Sequence, residues 1–126
     1  MAEKTPFQHR RWSEIPEEPL KGTITRRMIS GERSMIAQIS LKEGDFVPQH
    51  AHHNEQLSYV INGSLRFLLG ASGEHEVVVS AGEVLVIPSN LPHSALALAD
   101  TLEFDIFCPP REDWLNKTDD YLRRNS

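Results

Sequence analysis

The sequence predicts an all-β domain, a sandwich or a small closed barrel, with a short helix at its C-terminal end. Three observations carry that expectation. Between Gly22 and Cys108 the chain falls into short segments in which apolar and polar residues alternate with period two, the repeat of a strand with one buried face. Each segment ends in residues that favour turns: SGE at 30–32, KEGD at 42–45, NGS at 62–64, GASGE at 70–74, SAGE at 80–83, PSNLP at 88–92 and LAD at 98–100. These breaks leave about nine evenly spaced strands, a pattern of sandwiches and barrels rather than of alternating strand–helix folds.

Residues 1–20 are polar and carry Pro6, Pro16 and Pro19, which reads as an irregular arm; 21–126 make up the single barrel domain. Strands are expected at 23–30, 34–41, 46–51, 56–62, 64–70, 75–79, 83–88, 93–98 and 101–108. The Asn62–Gly63 pair, between IN and SLRF, reads as a tight hairpin turn. The tail REDWLNKTDDYLRR, 111–124, spaces Trp114, Leu115, Tyr121 and Leu122 as one face of a short amphipathic helix, able to cap one end of the barrel.

The chain has 126 residues, enough for one domain with its own core. With 39% hydrophobic and 25% charged residues it is expected to be soluble and globular. No apolar run approaches the roughly 18 residues of a membrane span, and the start, MAEKTPFQHRRW, has no apolar core of a secretory signal. Cys108 is the only cysteine, which excludes an internal disulfide and suits a reducing cytoplasm. A net charge of -5, with the basic residues scattered, argues against nucleic acid as the partner.

The chemistry concentrates in PQHAHHNEQ, 48–56. On a strand, residues two apart share a face, so His50 and His52 are placed to share one ion, with His53 pointing away. Imidazole is the common protein ligand for Zn, Cu, Fe and Ni. A third histidine, His93, follows two prolines in VIPSNLPH. A lone histidine is usually an ordinary surface or core residue, so the spacing of the three matters more than their number.

That spacing has a frame. Gly44 is followed after five residues by His50-Ala-His52, after three more by Gln56, and after six more by Gly63; Gly82 is followed after five by Pro88, and His93 stands five beyond it. This resembles the two motifs of the cupin superfamily. Gln56 stands where many cupins have glutamate, Asn90 where they have glycine and Ala97 where they have asparagine. The resemblance implies a double-stranded β-helix (jelly-roll) barrel, with His50, His52, Gln56 and His93 directed inward on one divalent transition metal ion per chain: Ni, Zn, Fe or Mn. Glu55 is the rival fourth ligand. It faces away from Gln56 on a regular strand, and a bulge would exchange the two. Three imidazoles and an amide would leave the ion's charge uncompensated, making it a stronger Lewis acid and favouring an anionic substrate.

The last segment, TLEFDIFCPPRED, places Phe104 and Ile106 on one face and Glu103, Asp105 and Phe107 on the other. Such an acidic face can simply meet solvent. But Pro109 and Pro110 end the strand rigidly and Arg111 follows at once, so Asp105, Phe107 and Arg111 can line one cavity. Arginine suits bidentate recognition of a carboxylate, and an aspartate beside it can exchange a proton with substrate.

QHAHHNEQLSYVINGSLRF, VIPSNLPH and FDIFCPPRED together look like the small stand-alone cupins of the KdgF type, the pectin-degradation family. That resemblance implies conversion of cyclic 4,5-unsaturated monouronates, released by lyases from pectin or alginate, to the linear keto form. It assigns the metal to the three histidines and Gln56, and the active site to Asp105, Phe107 and Arg111. Glu103 is charged where an apolar residue is expected. Alternatives are a cupin dioxygenase and a non-enzymatic sugar-binding cupin. His9 and His75 are expected in solvent, and Met28 and Met35 in the packing. Arg26 and Arg66 lie on strands from which either can face the cavity. A small anionic sugar acid is the expected partner, with no nucleic acid and no membrane, in a cytoplasmic homodimer that pairs an otherwise exposed sheet edge.

Overall fold

The computed structural model describes residues 5–118 and consists of two antiparallel sheets packed face to face as a jelly roll, with one short helix. The strands are β1 (Glu18–Pro19), β2 (Thr25–Ser30), β3 (Met35–Leu41), β4 (Phe46–His50), β5 (Glu55–Asn62), β6 (Ser64–Leu69), β7 (His75–Ser80), β8 (Val84–Ile87), β9 (His93–Ala97) and β10 (Thr101–Cys108), followed by α1 (Glu112–Leu115). One sheet runs β1-β2-β3-β10-β5-β8 and the other β4-β9-β6-β7. All nine expected strands form, with ends displaced by at most two residues.

The alternation that predicts the strands also fills the core. In β3, Met35, Ala37, Ile39 and Leu41 are buried while the residues between them are only partly covered. Leu65, Phe67 and Leu69 of β6 meet them from the opposite sheet, and Val60, Val79, Ile87, Ala95 and Ala97 complete the cluster. Burying a side chain of this size contributes about 1.5–3 kcal/mol. Met35 belongs to this core and Met28 packs against it, as expected of both.

Three expectations change. The arm is not wholly irregular: Trp12–Glu14 form one turn of 3₁₀ helix, and β1 pairs with the start of β2. Pro19 is tolerated there because β1 is an edge strand, where no further N–H is needed. The C-terminal helix is shorter than its pattern suggests. It spans Glu112–Leu115 and buries Trp114, while Tyr121 and Leu122 lie outside the described residues.

The third change concerns Asn62–Gly63, which does not make a hairpin. Both edges of β5 are already taken, by β10 and by β8, so β6 cannot pair with it and enters the other sheet instead. The pair is a corner between sheets. Gly63 has φ +88°, and a Cβ there would stand 2.3 Å from the Asp100 carbonyl oxygen and 2.8 Å from Thr101 Cα. Both are backbone atoms with nowhere to move. We therefore expect Gly63→Ala to combine left-handed strain with overpacking, about 2–4 kcal/mol in all. Chemical denaturation of the variant measures the loss, and a midpoint equal to wild type would contradict this account of the corner.

Candidate metal centre and cavity

The site begins with an irregularity in β4. Val47 pairs with Ala95 and His50 with His93, so three steps along β4 oppose two along β9. The extra residue falls beside Pro48, which has no N–H to give to the ladder. The bulge turns His50 to the inner face shared with Val47, and both line the interior cavity. β4 ends at His50. His52 therefore stands in the following loop rather than on the strand as the two-residue spacing suggests. That loop is held by the Asn90 N–H, which donates to the His52 carbonyl at 2.8 Å. Asn90 has φ +65°, the conformation a glycine favours and an asparagine tolerates. His53 points outward and is exposed.

The rings of His50 and His93 lie 4.3 Å apart between centroids, those of His52 and His93 5.1 Å, and those of His50 and His52 5.5 Å. One ring nitrogen from each falls within 4.8 Å of the others, a grouping that can hold a metal ion. The other nitrogens are committed. Nδ1 of His50 donates to the Pro48 carbonyl at 2.8 Å, Nδ1 of His52 to that of Asn54 at 3.1 Å and Nδ1 of His93 to that of Leu91 at 2.8 Å. This fixes each proton on Nδ1 and leaves Nε2 as a bare lone pair. His93 Nε2 is buried, with no hydrogen-bond partner among the described residues.

Burial, reinforced by His93, pushes His50 down to about 3, and burial, reinforced by Arg111, pushes His52 down to about 4. Burial also lowers His93. All three are neutral ligands at physiological pH.

Gln56, not Glu55, faces this cluster: Gln56 is buried and Glu55 exposed. The amide nitrogen of Gln56 donates to Ser58 Oγ at 2.9 Å and to Asp105 Oδ1 at 3.4 Å, and Ser58 Oγ donates to the same Oδ1 at 2.7 Å. The amide is thereby oriented, with its oxygen 3.2 Å from His52 Nε2. With the His52 proton on Nδ1, these are two acceptors facing each other. Such a contact is unfavourable unless a cation lies between them, so the donor set of His50, His52, His93 and Gln56 fits a divalent metal.

The acid-bearing face of β10 turns inward, not to solvent. Thr101, Glu103, Asp105 and Phe107 are all buried, and the last three line a cavity of about 50 Å³ together with His50, Gln56, His93 and Arg111. Burial first, then the neighbouring Asp105, pushes the Glu103 carboxyl well above the usual carboxylate range. Arg111 is 1% exposed, its guanidinium carbon 5.1 Å from the Phe107 ring centroid and 4.7 Å from that of Trp114. Its Nε and Nη2 donate to the two carboxylate oxygens of Asp113 at 2.8 and 2.6 Å. The edge of the fork expected to grip a substrate is thus engaged by Asp113.

Neither Arg26 nor Arg66 lines the cavity. Arg26 is buried over Trp114 and paired with Glu18, and Arg66 pairs with Glu76. His9 and His75 are exposed. Sequence reasoning missed Asn54, whose amide nitrogen donates to the carbonyls of Pro109 (2.6 Å) and Pro110 (3.1 Å) and ties the His52 loop to the exit of β10. It also missed Ser58 and Trp114 as parts of the site. For Ser58 a signal existed, since it stands two residues after Gln56 on the same face.

Residues 37–108 match the model of the Cupin domain family. Among solved structures, the chain is similar to KdgF from Halomonas sp., at 26% identity and a TM-score of 0.73 over 81% of this chain and 94% of that one. An RmlC-like cupin from Shewanella frigidimarina NCIMB 400 is similar at 25% identity and a TM-score of 0.76, over 90% of this chain and 99% of that one. Bacillus subtilis oxalate decarboxylase, which has Mn(II) centres, is similar at 25% identity and a TM-score of 0.65, over 78% of this chain but 28% of that one. A search of curated proteins gave no match.

Two outcomes test the donor set. Gln56→Ala should weaken metal binding more than Glu55→Ala, measured by calorimetric titration of each variant; the reverse ranking would contradict the placement of Gln56. The affinity should also change little between about pH 7 and about pH 5.5. Three imidazoles with an ordinary value near 6.5 would each compete with the ion below that point, together costing up to about 10³-fold. His50 and His52, held neutral by burial, do not, which leaves only His93 able to compete. A steep loss over that interval would show that the rings titrate normally.

Proposed function

Because the chain belongs to the cupin family, we propose that it is a metal-dependent enzyme that converts cyclic 4,5-unsaturated monouronates, from pectin or alginate, to the linear keto form. The observation that carries this reading is one cavity in which His50 and His93 of the three-histidine cluster and Gln56 meet Asp105, Phe107 and Arg111. The similarity to KdgF from Halomonas supports it.

The reaction is an isomerisation. The anomeric hydroxyl loses its proton as the bond from C1 to the ring oxygen breaks, and the enol left at C4 and C5 gains a proton at C4 as its hydroxyl becomes a ketone. A metal held by His50, His52, His93 and Gln56 supplies Lewis-acid polarisation of a substrate oxygen when bound. Asp105 is the acid–base group that moves the proton, because its carboxylate borders the cavity and is oriented by Ser58 and Gln56. Phe107 offers an apolar face to the sugar. Arg111, held by Asp113 and by two aromatic rings, borders the cavity where the substrate carboxylate would lie, with most of its charge matched by Asp113.

A cavity of about 50 Å³ holds only a few water-sized groups, since each needs at least about 10–15 Å³. The sugar would therefore insert its reacting edge and leave the remainder at the mouth. The same size favours a second reading, a cupin dioxygenase acting on a small acid, which consumption of oxygen would reveal.

Asp105→Asn should retain metal and fold while lowering turnover by about 10²–10⁴-fold, the range for loss of a general acid or base. The assay is the decay of the conjugated double bond's ultraviolet absorbance, compared with the uncatalysed rate. Wild-type protein no faster than that background on both pectin- and alginate-derived substrates would overturn the proposed reaction.

A further inference from the structure

Glu103 has no role in the reading above, and nothing in the cupin motif calls for a charge at its position. It is nevertheless 4% exposed and borders the cavity. Its cross-strand neighbours are Ile39 on β3 and Val60 on β5. Leu65 and Phe67, from the opposite sheet, line the same cavity. No hydrogen-bond donor among the described residues reaches its buried Oε2. An ionised carboxylate in such surroundings would be costly, because it needs donors or a cation to offset desolvation.

The polar group that Glu103 does face is Asp105, two residues along on the same buried face of β10, where the two carboxyls are placed to share a hydrogen bond. Two carboxylates cannot make a hydrogen bond unless one of them carries a proton. The arrangement indicates which one. Asp105 Oδ1 already receives the Ser58 hydroxyl and the Gln56 amide, the pattern of a group that accepts. Oε2 of Glu103 receives no hydrogen bond from any donor among the described residues.

We propose that Glu103 is a neutral carboxylic acid whose O–H donates to Asp105, and that it is the positioning residue fixing the carboxylate that moves the proton. The upward push of burial on the Glu103 carboxyl supports this assignment. Its neutrality limits the pair to at most a single negative charge, and along the seam of β5 and β10 it lies beyond Asp105 from Gln56, so its hydrogen bond supports Asp105 from the far side. The catalytic part of this statement rests on the reaction proposed above; the protonation state does not.

Two measurements on the full chain test it. The infrared spectrum near neutral pH should contain the carbonyl stretch of a neutral carboxylic acid, and the band should move when the glutamate side-chain carboxyls carry carbon-13. This needs no variant, so it decides the matter even where a substitution misfolds. Absence of the band, or a band that moves only with labelled aspartate, would overturn the proposal. In the metal-loaded enzyme, Glu103→Leu should lower kcat by about 10–100-fold, the usual cost of removing a supporting partner. KM should be little changed. Glu103→Gln, which restores a neutral donor, should recover most of that loss, and a Gln variant as slow as the Leu variant would overturn the positioning role. If wild type turns over no unsaturated uronate, the proposed reaction fails by itself, and the labelled band alone decides the state of Glu103.

Discussion

Three imidazoles at one end of the barrel each give their only N–H to a backbone carbonyl, and everything else in the site follows from that. Once Pro48, Asn54 and Leu91 hold the protons on Nδ1, the three Nε2 atoms converge as lone pairs. The amide oxygen of Gln56 adds a fourth acceptor, 3.2 Å from His52 Nε2. A cluster of acceptors in a buried place is unfavourable without a cation. Of the three accepting carbonyls, that of Pro48 lies at the β4 bulge and those of Asn54 and Leu91 lie in loops, so the geometry depends on segments pinned by particular contacts, among them Asn90 on the His52 carbonyl and Asn54 on Pro109 and Pro110.

From that acceptor cluster a polar chain runs into the barrel along the seam of β5 and β10. The register pairs Gln56 with Phe107, Ser58 with Asp105, and Val60 with Glu103. Residues at alternate positions share a face, so the seam places Gln56, Ser58, Asp105 and Glu103 within reach of one another. Donors and acceptors then alternate: Gln56 to Ser58, Ser58 to Asp105, Glu103 to Asp105. The chain fixes the Gln56 amide and the Asp105 carboxylate together. The apolar walls around it raise the cost of breaking any link.

Much of this was legible in the sequence because it depends on periods and spacings. Alternation located the nine strands, and the intervals from Gly44 to Gln56 and from Gly82 to His93 located the donor set. What was not legible depends on which strand lies beside which. Asn62–Gly63 has the composition of a hairpin turn, and only the occupancy of both edges of β5 makes it a corner. The Pro48 bulge changes which residues of β4 face inward, and no residue type announces it as clearly as the register does. The inner face of β10 runs against its own pattern, since the apolar face of Leu102, Phe104 and Ile106 is the less buried one and the face carrying both acids is the buried one. The engagement of Arg111 by Asp113, two residues on, requires the turn into α1 to be known.

The charge of the cavity ties these parts to the kind of substrate it favours. Four neutral ligands leave a divalent ion uncompensated, and Arg111 is already matched by Asp113. Two ionised carboxyls at Glu103 and Asp105 would cancel the ion's charge and repel an anion entering a space of about 50 Å³. With Glu103 neutral, a divalent ion at the site would outweigh the single carboxylate that Asp105 can supply, which is the balance the proposed anionic substrate requires. The protonation of a side chain that no motif requires therefore bears directly on whether the barrel admits an acid. In place of the apolar residue expected there, Glu103 keeps the charge of an apolar residue while adding a hydrogen-bond donor to Asp105.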